Sequence, residues 1–172
     1  MTKIQKQANR VALCGMLLAL MLVLGFVESQ LPVAAGIPGI KLGLSNGVLI
    51  FAVYMLNIPT AFLLMGLKVL LSGLLFGSPS AMLYALAGGV LSLAVMSLLS
   101  RVKGLSPVVV SMMGGLSHNV GQVAMAMLVL QTPKLMYYMA VLMAVGLVTG
   151  LATGLAAGGI IRRFTKEQSK RS

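Results

Sequence analysis

Residues 11–27 read VALCGMLLALMLVLGFV, seventeen consecutive residues without a charge. A helix rises 1.5 Å per residue, so about 20 apolar residues cross a bilayer's hydrocarbon. With its neighbours toward position 30, this run is long enough to be a first transmembrane helix. A cleaved leader is the competing reading, because Val33-Ala34-Ala35 loosely resembles a small-residue cleavage site. The apolar stretch is longer than the usual 7–15-residue leader core, however.

The same pattern recurs outward from this run. The remaining expected helices lie at about 44–56, 60–76, 81–99, 107–130 and 135–161, followed by a basic tail at 162–172. Turn signals separate them: Asn57-Ile58-Pro59, Gly77-Ser78-Pro79-Ser80, Arg101-Val102-Lys103-Gly104 and Gln131-Thr132-Pro133-Lys134. The expectation is all-α: a polytopic six-helix membrane bundle in one domain spanning 1–172. Composition agrees, with 59% hydrophobic residues, 9% charged residues and a mean hydropathy of +1.02 over 172 residues. A soluble chain this short cannot enclose so much apolar surface.

The formal charge of +11 reads as topology and not as nucleic-acid binding, since the basic residues form no stripe interleaved with aromatics. Lys3, Lys6, Arg10, Arg101, Lys103, Arg162, Arg163, Lys166, Lys170 and Arg171 fall on one side of a six-helix arrangement. Only Lys41 and Lys134 fall on the other, with Lys68 inside a span. Cytoplasmic flanks carry the Lys/Arg excess, so both termini are expected in the cytoplasm. Cys14 stands alone, which leaves no disulfide framework or thiolate metal site.

Small residues mark helix contacts. Gly146, Gly150, Gly154 and Gly158 repeat every four residues on helix six, a spacing that lets another backbone approach closely. This run reads as internal packing or as a docking face. Ala8, Ala12, Gly15 and Ala19 form a shorter stripe on helix one, at an end a membrane partner can reach.

Polar side chains at membrane depth are costly and normally face the bundle interior or a water-filled cavity. Here they are Glu28, Lys41, Ser45, Asn46, Lys68, Ser72, Tyr84, His118, Asn119 and Gln122. Lys68 and Ser72 are four apart, as are His118 and Gln122, so each pair shares a helical face. Convergence on one pocket near the outer surface is the functional reading. Against it, Lys41 reads equally as an interfacial anchor, Glu28 as a snorkelling side chain and His118 as an interhelical hydrogen bonder. Lys68 is sharper: a mid-span lysine needs a counter-charge, water or a ligand. The chain has only two acids, Glu28 and Glu167 in the tail. Lys68 therefore pairs with Glu28 or is free for an anionic substrate.

The segments Gly39-Ile40-Lys41-Leu42-Gly43-Leu44-Ser45-Asn46, Gly66-Leu67-Lys68-Val69-Leu70-Leu71-Ser72-Gly73-Leu74-Leu75-Phe76-Gly77 and His118-Asn119-Val120-Gly121-Gln122 resemble the Gx transporter family. That family is also labelled heptaprenyl diphosphate synthase component I. More distantly the chain is similar to substrate-binding S components of energy-coupling factor (ECF) vitamin transporters. The resemblance implies a bacterial cytoplasmic membrane protein with a substrate site toward the outer face, docked on a transmembrane coupling protein driven by cytoplasmic ATPases. Ala8, Ala12, Gly15 and Ala19 match the coupling face in that picture, although Met16 interrupts the spacing.

The two labels make different chemical claims. Prenyl chain elongation needs clustered aspartates to hold Mg²⁺ against diphosphate oxygens, and this chain has no Asp at all. A synthase role is therefore that of an accessory subunit. One His without a nucleophile or nearby carboxylate is no triad, and no P-loop is present. No enzyme activity and no cofactor are expected. The favoured expectation is a membrane-embedded subunit that binds or transports an anionic or polar solute. The alternatives are a non-catalytic accessory in isoprenoid or quinone synthesis, or a membrane component of a flavin-linked electron-transfer assembly.

Overall fold

The structure is a computed structural model that describes the backbone of residues 2–30 and 41–171, and side chains as far as 164. The Val33-Ala34-Ala35 motif, Gly39-Ile40 and the side chains of Lys166, Glu167, Lys170 and Arg171 lie outside the described residues. Six α-helices follow one another: α1 Lys3–Gln30, α2 Asn46–Met55, α3 Ile58–Phe76, α4 Pro79–Leu99, α5 Pro107–Leu130 and α6 Met136–Arg171. A short 3-10 turn at Pro133–Leu135 leads into α6, and there are no strands among the described residues.

The loop chemistry explains the helix starts. Asn57, Ser78 and Ser106 each accept a backbone N–H from the first turn, of Thr60, Ala81 and Val109, at 2.8, 3.2 and 3.3 Å. Pro59, Pro79 and Pro107 occupy the first turn, where a missing N–H costs nothing. Two ends differ from the hydropathy reading. Helix α1 begins at Lys3 instead of near Val11, and α6 continues to Arg171. Lys, Gln, Ala and Arg are good helix formers, so the chain stays helical after it leaves the apolar region.

Helices α1, α3, α4 and the segment Pro133–Phe164 are each long and apolar enough to cross a membrane, and α2 is a shorter apolar helix of 10 residues. Helix α5 has the length, at 24 residues, but is less apolar because it carries Ser111, Ser117, His118, Asn119 and Gln122, all of them buried. Large apolar side chains such as Val11, Met16, Val23, Leu63, Leu70, Leu74 and Leu75 face outward, as lipid contact requires.

Helix α5 packs between α4 and α6. Its two faces are cut flat by glycine. A Cβ on Gly121 would lie 2.8 Å from the Ala87 carbonyl oxygen of α4, and one on Gly150 of α6 would lie 2.7 Å from the Met112 Cα of α5. Gly146, Gly150 and Gly154 all pack on α5 backbone or on Ser111, whereas Gly158 is looser. The glycine run thus makes an internal seam. Leu17, Met21, Ile50, Leu64, Met65, Leu93 and Val110 fill the core beside it.

Candidate functional site

The antiparallel order brings the end of α1, the start of α2, the end of α3 and the C-terminal half of α5 to one end of the bundle. Lys68 lies eight residues before Phe76, about 12 Å below the end of α3. Its side chain is 5% exposed and runs across α1, with Cε 3.5 Å from where Gly25 would carry a Cβ. Among the described residues its ammonium has no hydrogen-bond or ion-pair partner. Ser72, one turn on, is also buried and donates its hydroxyl to the Val69 carbonyl of its own helix.

Glu28 does not snorkel. It is 3% exposed, and its Oε1 accepts the backbone N–H of Leu44. Its Oε2 is buried without a hydrogen-bond partner among the described residues. Lys41 and Lys68 are its charged neighbours, yet no direct salt bridge forms among the described residues. Lys41 is half-buried and places its ammonium 5.2 Å from the centre of the Phe76 ring, a cation–π arrangement. Burial holds the Lys41 ammonium below its ordinary pKa, and the Glu28 carboxylate pulls it back up.

Between Lys41 and Leu44 the chain has no regular structure and turns into α2, with Gly43 at φ +82°, a conformation that suits glycine. A Cβ there would lie 2.8 Å from Asn46 Nδ2 and 3.1 Å from His118 Cδ2, so both side chains close on this strap. Gln122, fully buried, accepts the Lys41 N–H on Oε1 at 3.0 Å and stands 2.7 Å from His118 Nε2. Asn46 Nδ2 is buried without a partner among the described residues, and His118 Nδ1 faces the Gly88 backbone of α4. Glu28, Lys41, Asn46, Lys68, His118 and Gln122 thus surround one strap end.

Two other candidates lie apart. Asn119 turns toward α6, donating to the Leu142 carbonyl at 2.5 Å, which makes it a bridge between helices. Tyr84 is buried in a second apolar cluster with Val123, Ala126, Leu135 and Leu142. Hydropathy gave no signal for Thr149, which reaches the Leu42 carbonyl at 3.2 Å. Ala8, Ala12, Gly15 and Ala19 are all exposed on α1, and nothing lies within 4 Å of a Cβ built on Gly15. A separate apolar groove of about 510 Å³ runs between α1, α2 and α6, past Leu24, Val48, Phe51, Ala156 and Ile160.

Among the described residues, the buried Glu28 Oε2 and Asn46 Nδ2 have no hydrogen-bond partner at this end, and a buried polar group left so costs about 1–3 kcal/mol. No group of three or more His, Cys, Asp or Glu residues suited to a metal occurs among the described residues.

The family described as heptaprenyl diphosphate synthase component I matches residues 17–160. No curated protein and no solved structure matches the chain.

Proposed function

The chain belongs to the heptaprenyl diphosphate synthase component I family, and from that premise we propose that it is a non-catalytic membrane subunit beside a prenyl diphosphate synthase, holding an anionic ligand between Lys41 and Lys68. The observation that carries this reading is Lys68: a buried lysine, about 12 Å inside the span, with no contacting counter-ion among the described residues. Absence of Asp from the sequence leaves Mg²⁺-dependent elongation to the partner synthase. In this reading the chain sits in the cytoplasmic membrane with both ends inside, and the strap end faces outward.

Affinity purification tests it. The expected result is a co-purifying soluble prenyl synthase, and binding of farnesyl diphosphate that is lost in Lys68→Ala. Unchanged binding in a well-inserted Lys68→Ala protein would overturn the pocket.

A second reading is favoured by one observation, the exposed small-residue stripe Ala8, Ala12, Gly15 and Ala19 on α1. It lets another membrane helix approach closely. In that reading the chain is the solute-binding subunit of a transporter, and a transmembrane coupling protein with ATPases co-purifies in place of a synthase.

A further inference from the structure

The strap Lys41–Leu44 is held by three helices at once. Gln122 of α5 takes the Lys41 N–H, Glu28 of α1 takes the Leu44 N–H, and Thr149 of α6 stands between them at the Leu42 carbonyl. The Thr149 hydroxyl has one proton and three carbonyls within reach, those of Leu42, Val145 and Gly146 at 3.2, 3.0 and 3.2 Å. Val145 and Gly146 lie inside α6, where helix N–H groups already serve them. Among the described residues the Leu42 carbonyl has no other partner. A part-buried carbonyl left without a donor is the costlier outcome, so the proton belongs to Leu42.

We propose that Thr149 is the positioning residue of Lys41, fixing through the Leu42 carbonyl where the Lys41 ammonium stands over the pocket. The proposal rests on the pocket reading above. Thr149 itself touches no ligand. Its neighbours Gly146 and Gly150 lock α6 to α5 at backbone contact, so the hydroxyl is carried on a rigid support. One turn on, Thr153 bonds Ser111 at 3.2 Å and packs where Gly47 of α2 lacks a Cβ, so α6 registers both the strap and the helix that follows it.

The test is a double-mutant cycle on the full-length protein in lipid nanodiscs, with farnesyl diphosphate as the probe. Thr149→Val and Lys41→Met each weaken binding by about tenfold, the double variant loses no more than either, and Thr149→Ser restores affinity. Thr149→Ala serves the same comparison if the Val variant does not accumulate. Additive losses, or a loss in Thr149→Val with none in Lys41→Met, would overturn the positioning role while leaving the pocket intact. If Lys68→Ala also binds the probe as wild type does, it is the pocket reading that fails.

Discussion

The side-chain amide nitrogen of Gln122 stands 2.7 Å from Nε2 of His118, one turn earlier on α5. Because Gln122 Oε1 is occupied by the Lys41 N–H, only the amide NH₂ faces the ring. His118 Nε2 must therefore accept, and the imidazole carries its proton on Nδ1. The protein has a single histidine, so nitrogen chemical shifts read this directly. Wild type is expected to show the Nδ1–H tautomer. Gln122→Glu, which accepts from both sides, moves the proton to Nε2. An Nε2–H ring in wild type would break the hydrogen-bond order from strap to histidine.

A second expectation concerns Lys68. Burying a charge without a contacting partner costs several kcal/mol, and apolar replacement of such groups is often stabilising. Lys68→Met is expected to raise thermal stability in detergent by about 1 kcal/mol or more while abolishing farnesyl diphosphate binding. A destabilised variant would mean that the ammonium is satisfied in the resting protein and is not held ready for a ligand.

The seam between α5 and α6 gives a graded series. A Cβ on Gly150 would press on Met112 Cα and the Ser111 carbonyl oxygen, both at 2.7 Å, and neither belongs to a side chain that can swing away. Gly150→Ala should cost about 2 kcal/mol or more, in the range of overpacked cores. At Gly158 the neighbours are Val108 Cγ2 at 3.6 Å and Pro107 Cβ at 3.9 Å, and at Gly15 there are none within 4 Å. Alanine at those two positions is expected to leave stability within about 0.5 kcal/mol. Equal effects at all three, by thermal unfolding, would show that the seam is not what holds α6.

These particulars show which links were legible in the sequence. The helices were, because lipid forces apolar runs of a set length, and turn signals such as Asn57-Ile58-Pro59 and Gly77-Ser78-Pro79-Ser80 separate them. The first two turns of α1 were not, because a hydropathy reading is blind to helix that has left the bilayer. Lys68 stood out because a mid-span lysine is costly and the sequence holds so few acids, but whether it pairs with Glu28 was open there. The strap was hidden: its contacts join Lys41 to Gln122 and Leu42 to Thr149 across 81 and 107 residues, and two of the groups involved are backbone. Asn119 and His118 looked equivalent in the sequence, yet adjacent helical positions point about 100° apart, so one bridges to α6 and the other meets the strap.

The last expectation is topological. Lys3, Lys6 and Arg10 sit at the start of α1, Arg101 and Lys103 in the α4–α5 link, and Arg162 and Arg163 near the end of α6. Six antiparallel helices bring these three places to one end, opposite Lys41 and Lys134. The Lys/Arg excess is expected to retain that end in the cytoplasm, which would open the strap and Lys68 to the outside. With Cys14 replaced by serine, a membrane-impermeant maleimide applied to intact cells should label Gln131→Cys. Gln5→Cys and Val102→Cys should react only after permeabilisation. The reverse pattern would put the strap on the cytoplasmic side and overturn the orientation expected from the Lys/Arg excess. Labelling of Gln5→Cys and Gln131→Cys from the same side would break the six-span arrangement on which the depth of Lys68 depends.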